Sequence, residues 1–245
     1  MNIEVRQAEY PSVEALRELY RAEAQCQIIC DGDLPRGLAD PFLVLLDGRV
    51  AGYGAVRNRI DQGRLTEFYS LPYARAEAPA MFCELLRASG TKEIAAQTNM
   101  PSLLMLLYDY ATDITTEKIL FEDTLISNLT CPDGLVRLAL DGENSPDPGS
   151  PWVVDVEGAL VAAGGFLCHY NPPYADIYMT VAEDARRRGY GSYLVQELKK
   201  ICYEAGKKPG ARCDPRNTAS RKSLEKAGFL ACGRLLVGQV VSNNG

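Results

Sequence analysis

The 245-residue sequence predicts an α/β (α+β) protein built from two similar domains in tandem. Three observations support this prediction. A hairpin-like pattern occurs once in each half of the chain. In the second half, a strand-like run leads through a glycine-containing turn into a helix-like run. A further strand–helix–strand pattern then follows. A chain of this length can form one large or two small hydrophobic cores.

The repeat consists of three pairs of blocks in the same order along the chain: 41–54 with 151–164, 65–71 with 175–181, and 99–102 with 217–220. The first pair aligns without a gap, and each member has an acidic residue and a glycine between two apolar runs. That pattern predicts a β-hairpin. Three matching blocks in one order favour a duplicated domain over chance similarity.

The two copies differ at their beginnings. Ser12–Ala24 is predicted to form an amphipathic helix, and one face carries apolar side chains: Val13, Leu16, Leu19 and Tyr20. No equivalent helix precedes Pro151, and Asp141–Pro151 is rich in residues that favour an exposed loop. We therefore expect domains at 1–130 and 131–245, with the boundary near Thr130–Asp133.

The run Arg186-Arg187-Arg188-Gly189-Tyr190-Gly191 follows the strand-like run Ala175–Val181 and opens a helix-like run. Glycines let a ligand approach the backbone, and the first amides of a helix lack intrahelical acceptors. With the helix dipole and three guanidinium groups, this turn predicts a nest for a pyrophosphate. The pattern lacks the Gly-Lys-Ser/Thr of a Walker loop and the third glycine of a dinucleotide fingerprint, which would fall at Leu194.

The equivalent positions of the first half are Ala76, Pro79 and Met81. Proline removes an N–H donor, and the other two residues remove the charge and restore side-chain bulk. We therefore expect the first domain to keep the fold without a cofactor nest.

A second motif follows the nest in the sequence. Asn217 is placed to cap a helix whose apolar face includes Leu224 and Ala227, and Gly228 is placed to end it. The helix would lie between strands at Ala211–Cys213 and Phe229–Val237.

With these two motifs, the chain resembles the GNAT superfamily of acyl-CoA-dependent N-acyltransferases. The pyrophosphate loop of that family, Gln/Arg-x-x-Gly-x-Gly/Ala, is matched by Arg186, Gly189 and Gly191. A later segment of the family, Asn-x-x-Ser/Ala followed by Gly-Phe, is matched by Asn217, Ser220, Gly228 and Phe229. The resemblance covers about Pro151 to Val237. It implies two GNAT-like domains, each a mixed, mostly antiparallel sheet flanked by helices, and acetyl-CoA as co-substrate.

The resemblance also implies where acetyl-CoA binds. In the family, a bulge splays the strand before the nest from its neighbour, and the pantetheine arm pairs with backbone groups in the gap. The positions implied for this contact with the cofactor are Met179, Val181, Arg186, Arg187, Arg188, Gly189, Tyr190, Gly191, Ser192, Asn217 and Ser220. The same strand could donate an N–H to the developing oxyanion.

Direct transfer to an amine needs a base, because an alkyl amine of pKa about 10 is almost fully protonated at pH 7. Asp176, on the strand before the nest, is the first candidate. His169, the only histidine, is the second because its ordinary pKa suits the task. The family usually protonates the leaving thiolate with a tyrosine seven residues after the helix-start asparagine, and that position is Leu224 here.

Composition excludes several other classes of protein. The net charge of −6 disfavours nucleic acid and anionic membranes as partners. The eight cysteines are scattered, so we expect buried free thiols and no metal site. The amino terminus lacks the apolar core of a signal peptide, and no apolar run is long enough to span a membrane. These features predict a cytoplasmic protein, either a monomer or a homodimer.

The sequence therefore predicts an N-acetyltransferase that acts on a small-molecule or peptide amine. The alternative is a non-catalytic acyl-CoA-binding or regulatory protein, which the leucine at position 224 and the altered first copy would favour. A nucleotide-binding domain is disfavoured because the motif lacks the expected lysine and acidic partner.

Overall fold

The computed structural model describes residues 1–241, which form two compact units. Unit 1 comprises Met1–Glu117 and the segment that begins at Gly233, and unit 2 comprises Lys118–Cys232. The units therefore divide elsewhere than the boundary at 130/131 drawn from the sequence. The chain passes from one unit to the other twice, each time within a continuous strand, where the composition gives no sign of a linker.

Unit 1 has five strands and three helices in its amino-terminal segment: β1 (Ile3–Gln7), α1 (Glu14–Ala24), β2 (Ala39–Leu46), β3 (Arg49–Arg57), β4 (Arg64–Ser70), α2 (Ala78–Ser89), β5 (Glu93–Gln97) and α3 (Pro101–Tyr110). The strands lie in the order β1-β2-β3-β4-β5. Only β4 and β5 pair in parallel.

Unit 2 contains the following elements: the second part of β6 (Ala111–Asp123), then β7 (Gly134–Leu138), β8 (Trp152–Val156), β9 (Ala159–Leu167), β10 (Tyr174–Val181), α4 (Tyr190–Glu204), β11 (Lys208–Cys213) and α5 (Thr218–Lys226). Its strands lie in the order β6-β11-β10-β9-β8-β7, and only β10 and β11 are parallel. The predicted mixed, mostly antiparallel sheet with flanking helices is therefore confirmed.

The carboxyl-terminal strand β12 (Phe229–Val240) supplies the last strand of the unit 1 sheet. Its residues 235–239 pair with β5 in antiparallel register, from Leu235 opposite Gln97 to Gln239 opposite Glu93. The sequence predicted a strand at Phe229–Val237 but gave no indication that it completes the first unit. Strand pairing over such a separation depends on the tertiary fold.

The two predicted hairpins are confirmed as β2–β3 and β8–β9. Their turns are alike: Asp47 and Gly48 have φ of 48° and 78°, and Glu157 and Gly158 have φ of 51° and 88°. Two successive positive φ values are typical of the type I′ turn, whose twist matches that of paired strands. The acidic residue and glycine shared by the repeats therefore have the same conformational role in both units.

Helix α1 lies within the predicted Ser12–Ala24, after a short 3₁₀ turn at Tyr10–Ser12. Val13, Leu16 and Tyr20 are buried as predicted, but Leu19 is 46% exposed, so its assignment to the buried face was wrong. The periodicity also missed Arg17, which is buried completely. Arginine can occupy the buried face at this position because it forms ion pairs with buried carboxylates.

A buried ion-pair network connects α1 to β4. Arg17 donates to Glu67 from Nε at 3.0 Å and from Nη2 at 2.8 Å, and Nη2 also donates to Asp31. Tyr53 donates to Glu67 Oε2 at 2.8 Å. Burial raises the pKa of Glu67, and its donors Arg17 and Tyr53 offset part of the rise. Each charge in this network thus depends on its partner.

The predicted loop at Asp141–Pro151 lies between β7 and β8, a strand pair that the sequence did not predict. Most of its residues are exposed, as expected, although Ser150 is buried. Arg137 binds both Glu143 and Asp155, at 2.6 and 2.8 Å, and so fixes one end of the loop. Hydrogen bonds from Arg137 lower the pKa of Glu143 to about 2.

The cysteines of the described residues are all free thiols, but only Cys30, Cys202 and Cys213 are buried. Cys168 is exposed, and the other four are intermediate, so the expectation of buried thiols holds for a minority of them. Among the described helices, none has the length and apolar character needed to cross a membrane.

We predict that Arg17→Met lowers the free energy of unfolding by about 3–5 kcal/mol, because it leaves Glu67 buried without its counter-charge. The double variant Arg17→Met/Glu67→Leu should lose less than the single variant. Urea unfolding monitored by circular dichroism measures both. The control is Arg6→Gln, which removes an exposed pair with Glu4 and should change stability by less than about 1 kcal/mol. A loss of that small size for Arg17→Met would show that the network is dispensable.

Candidate functional site

The turn before α4 has the geometry of an anion nest. Gly189 precedes the helix with φ 93°, and Arg187 has φ 66°, both in the left-handed region. The first hydrogen bond of the helix runs from Tyr193 N to Gly189 O at 3.0 Å. The preceding amides, of Tyr190, Gly191 and Ser192, therefore lie in the first turn, where the helix itself offers no acceptor. They can converge on an anion.

The side chains around this turn are cationic. Arg186, Arg187 and Arg188 are exposed, and the Arg188 guanidinium lies 5.3 Å from the centre of the Tyr190 ring. Lys226, the last residue of α5, adds a fourth charge: its Nζ is 3.9 Å from the position that a Gly189 Cβ would occupy. Lys226 has no signal in the sequence as a site residue, because only folding brings the end of α5 to this turn.

Gly191 has a packing role as well as a ligand-approach role. A Cβ at this position would lie 3.1 Å from Val181 Cγ2 and 3.5 Å from Met179 Sδ. The absence of a side chain therefore lets the start of α4 sit directly on β10. This contact places the first-turn amides at the carboxyl end of the strand.

A gap opens between β10 and β11 just before the nest. The two strands pair in parallel only from Tyr174 to Asp176 on β10. On its other side, β10 pairs with β9 in unbroken register from Asp176 to Val181. The divergence that the family resemblance implied is thus present without the bulge expected in β10.

The hydrogen-bond pattern indicates which backbone groups face the gap. Ala182 N donates to Val161 O at 3.0 Å, continuing the β9–β10 register. In an antiparallel pair, alternate residues direct their N–H and C=O groups to the partner strand. The even-numbered residues of β10 therefore face β9, and Met179 and Val181 direct theirs towards the gap. Both were predicted from the sequence as backbone contacts of an extended ligand.

Asn217 and Ser220 lie at the start of α5, after β11. Asn217 Oδ1 accepts from Ser220 N at 3.0 Å, which is the predicted helix cap. The amide nitrogen of Asn217 is therefore the end of the side chain suited to donate to a ligand. Gly228, with φ 93°, follows the end of α5 as expected.

The two catalytic candidates are brought together on unit 2. His169 Nε2 lies 3.2 Å from Asp176 Oδ2, and the Asp176 side chain is only 8% exposed. Arg212, on β11, joins them: its Nε is 3.2 Å from Asp176 Oδ2, and its Nη2 is 3.2 Å from His169 Nε2. Arg212 could not be identified from the sequence, since no motif marks an arginine on a short strand.

Other groups near the site are less suited to proton or acyl transfer. Leu224 is buried in the core of unit 2, and its aliphatic side chain has no proton to donate. Burial raises the pKa of Cys131 and raises the pKa of Cys202 to about 11, so both thiols stay protonated at neutral pH. Within residues 1–241, no cluster of three or more potential ligand side chains could hold a metal ion.

The equivalent turn of unit 1 is built differently. Pro79 occupies the first turn of α2 and has no N–H, and Met81 is fully buried. Counted from the start of each helix, Glu77 corresponds to Gly189 and Pro79 to Gly191, so the equivalence drawn from the sequence, Pro79 with Gly189, is shifted by two residues. A carboxylate and a proline at this place oppose anion binding.

Comparison with known proteins found a family model that matches part of the chain. Residues 116–229 match the family described as Acetyltransferase (GNAT) family. The matched segment contains β10, the nest, α4, β11 and α5, so the site lies inside it. No curated protein sequence matches the chain.

Solved structures resemble the chain over nearly its whole length. A GNAT-family acetyltransferase from Colwellia psychrerythraea has a TM-score of 0.76 at 19% identity, covering 97% of this chain and 99% of its own. A tandem GNAT protein from the clavulanic acid biosynthesis pathway has a TM-score of 0.61 at 12% identity, covering 97% and 98%. A GCN5-related N-acetyltransferase from Sphaerobacter thermophilus has a TM-score of 0.57 at 15% identity, covering 97% and 95%. At these identities, the likeness shows the shared fold.

We predict that Lys226→Gln weakens binding of inorganic pyrophosphate by about two- to fivefold, the size expected for one exposed charge. Isothermal titration calorimetry at low and high sodium chloride measures the affinity, and the difference should shrink at high salt. Lys222→Gln is the matched control, because it removes the same charge from the exposed side of the same helix. If the two variants lost affinity equally, the effect would come from net charge and not from the nest.

Proposed function

We propose that this protein transfers an acetyl group from acetyl-CoA to a primary amine of a small molecule or peptide, since residues 116–229 match the acetyltransferase (GNAT) family. The observation that carries the proposal is the nest of unit 2 beside the gap between β10 and β11. An anion site and an extended slot meet at one strand end, as a diphosphate joined to a pantetheine arm requires.

The proposed cofactor contacts follow from this geometry. The amides from Arg188 to Ser192 would bind the diphosphate, with charge from Arg186, Arg187 and Lys226. Backbone groups of Met179 and Val181 would pair with the pantetheine arm in the gap. Asn217 would donate from its amide nitrogen, and Ser220 lies beside it. Bound in this way, acetyl-CoA supplies an activated thioester.

Asp176 is the proposed general base. Its carboxylate would accept a proton from the incoming ammonium, directly or through water, so that the neutral amine can attack. His169 and Arg212 both contact Asp176 Oδ2 at 3.2 Å and limit the rotation of the carboxylate. Holding the amine and the thioester together would supply much of the acceleration.

The leaving thiolate would take its proton from solvent, since Leu224 replaces the usual tyrosine and is buried. The attack needs no covalent enzyme intermediate, so none of the cysteines requires a nucleophilic role. Unit 1 is proposed to be a copy that has lost the cofactor nest.

Replacing Gly191 should abolish acetyl-CoA binding. Gly191→Glu forces a large charged side chain between the start of α4 and β10, and Gly191→Ala adds only a Cβ 3.1 Å from Val181, which should weaken binding by about tenfold. Calorimetry with acetyl-CoA measures both, and circular dichroism checks folding. Ala205→Glu, at an exposed position with φ −78° just after α4, is the control. Unchanged affinity in folded Gly191→Glu would refute the proposed cofactor site.

Transfer itself is tested by release of free CoA thiol with a panel of small-molecule and peptide amines. Turnover with any amine supports the proposed enzyme. Tight binding of acetyl-CoA without turnover across a broad panel would favour a non-catalytic acyl-CoA-binding protein.

Asp176→Asn should lower kcat by at least about a hundredfold, the usual effect of losing a general base. Its dissociation constant for acetyl-CoA should stay within about twofold of the wild-type value, because the side chain lies at the opposite end of β10 from the nest. Asp133→Asn, an exposed carboxylate outside the site, is the control for steady-state kinetics. Retention of more than half of the wild-type kcat would place the base elsewhere.

A further inference from the structure

Unit 1 contains a cavity of about 370 Å³ that the proposed transfer reaction does not use. Its walls come from the end of β4, the last turn of α1, the start of α2 and one side of α3 as far as Asp109. The volume falls within the range of about 300–1,000 Å³ that small-molecule pockets occupy. A cavity of this size at a strand end is a candidate binding site.

The cavity results from a divergence of strands. β4 pairs in parallel with β5 only at Arg64 and Leu65, and the two strands then separate. The wedge between them is lined by Phe68 and Tyr69 on one side and by the turn at Met100 on the other. This is the place in unit 1 that corresponds to the gap of unit 2, but its lining is mainly apolar and aromatic.

A diphosphate is a poor ligand for this cavity. Pro79, one of its lining residues, has no amide N–H, and its carbonyl accepts a hydrogen bond from Tyr110 Oη at 2.8 Å. Glu77 adds negative charge at the start of α2, and the Met81 side chain, where a glycine would leave space, is fully buried in the core. The ligand of unit 1 should therefore lack the phosphate groups of CoA.

The charges in the lining favour a cation. Two carboxylates, Glu23 and Asp109, line the cavity with one guanidinium, Arg75. Glu23 accepts from Tyr69 Oη at 2.8 Å and also binds Arg75. Helix α1 ends at this wall, so its carboxyl-terminal carbonyls add negative potential beside Glu23.

Aromatic rings complement these charges. Tyr20 and Tyr69 both line the cavity, with ring centres 6.2 Å apart at an interplanar angle of 60°, and Phe68 lies next to Tyr69. Aromatic faces attract organic cations and also accept apolar ligand surface. The lining thus offers a polar, negative mouth and an aromatic interior.

We propose that the unit 1 cavity binds an organic amine, a monocation with an apolar body. Its ammonium group would lie near Glu23 and Asp109, and its body would pack against Tyr20, Phe68 and Leu103. The proposal does not depend on acetyl transfer, because these residues are all in unit 1 and the nest is in unit 2.

Three probes of similar size and different charge test the proposal by calorimetry at pH 7: 2-phenylethylamine, 2-phenylethanol and 3-phenylpropanoate. We expect the amine to bind at least about fivefold more tightly than the alcohol, as a desolvated cation–aromatic contact and a carboxylate allow. The carboxylate probe should bind most weakly. Equal affinities, tighter binding of the carboxylate, or no binding of the amine would each overturn the proposal.

Variants locate the binding. Glu23→Gln should weaken amine binding about fivefold, whereas Arg75→Gln should strengthen it, because the two changes move the charge of the lining in opposite directions. Ala24→Phe fills the cavity from the end of α1 and should abolish binding. Ala22→Phe is the matched control, since Ala22 is exposed on the same helix.

An acceptor site in unit 2 is the alternative location for the amine, so Asp176→Asn is tested in parallel. We expect it to leave amine affinity unchanged. Loss of binding in Asp176→Asn with full binding in Ala24→Phe would refute the cavity and move the ligand to unit 2. Failure of acetyl transfer, in contrast, would leave the amine affinity of the cavity as it is.

Discussion

The parallel pairing of β10 with β11 ends at Asp176, and the candidate site depends on that divergence. Beyond this point, the backbone groups of Met179 and Val181 face a gap instead of a neighbouring strand. Such groups need partners. Because Gly191 lets α4 pack directly on the same strand, the amides of its first turn open at the end of the gap. One irregularity of the sheet thus produces both a slot and an anion nest.

Unit 1 repeats the divergence with a different outcome. β4 leaves β5 after Leu65, and the space is lined by aromatic and aliphatic side chains. Proline and a buried methionine occupy the turn where unit 2 has its glycines. The same backbone arrangement therefore has a different lining in each unit, and the residues at one turn determine whether an anion can bind there.

Much of this architecture could be predicted from the sequence because it depends on local conformation. The acidic–Gly turns, the Asn217 cap and the glycines of the nest all impose backbone geometry on their immediate neighbours. Arg212 and Lys226 could not be found in this way, since each acts through a distant segment. The pairing of β12 with β5 was missed for the same reason. Burial of Arg17 contradicted the simple rule that charged residues lie outside, because Glu67 compensates its charge.

A crystal structure of the complex with CoA tests the central claim most directly. We expect density for the diphosphate against the amides of Gly189–Ser192 and for the pantetheine arm between β10 and β11. Density for CoA in unit 1 alone, with the turn before α4 empty, would contradict the assignment of the cofactor site to unit 2.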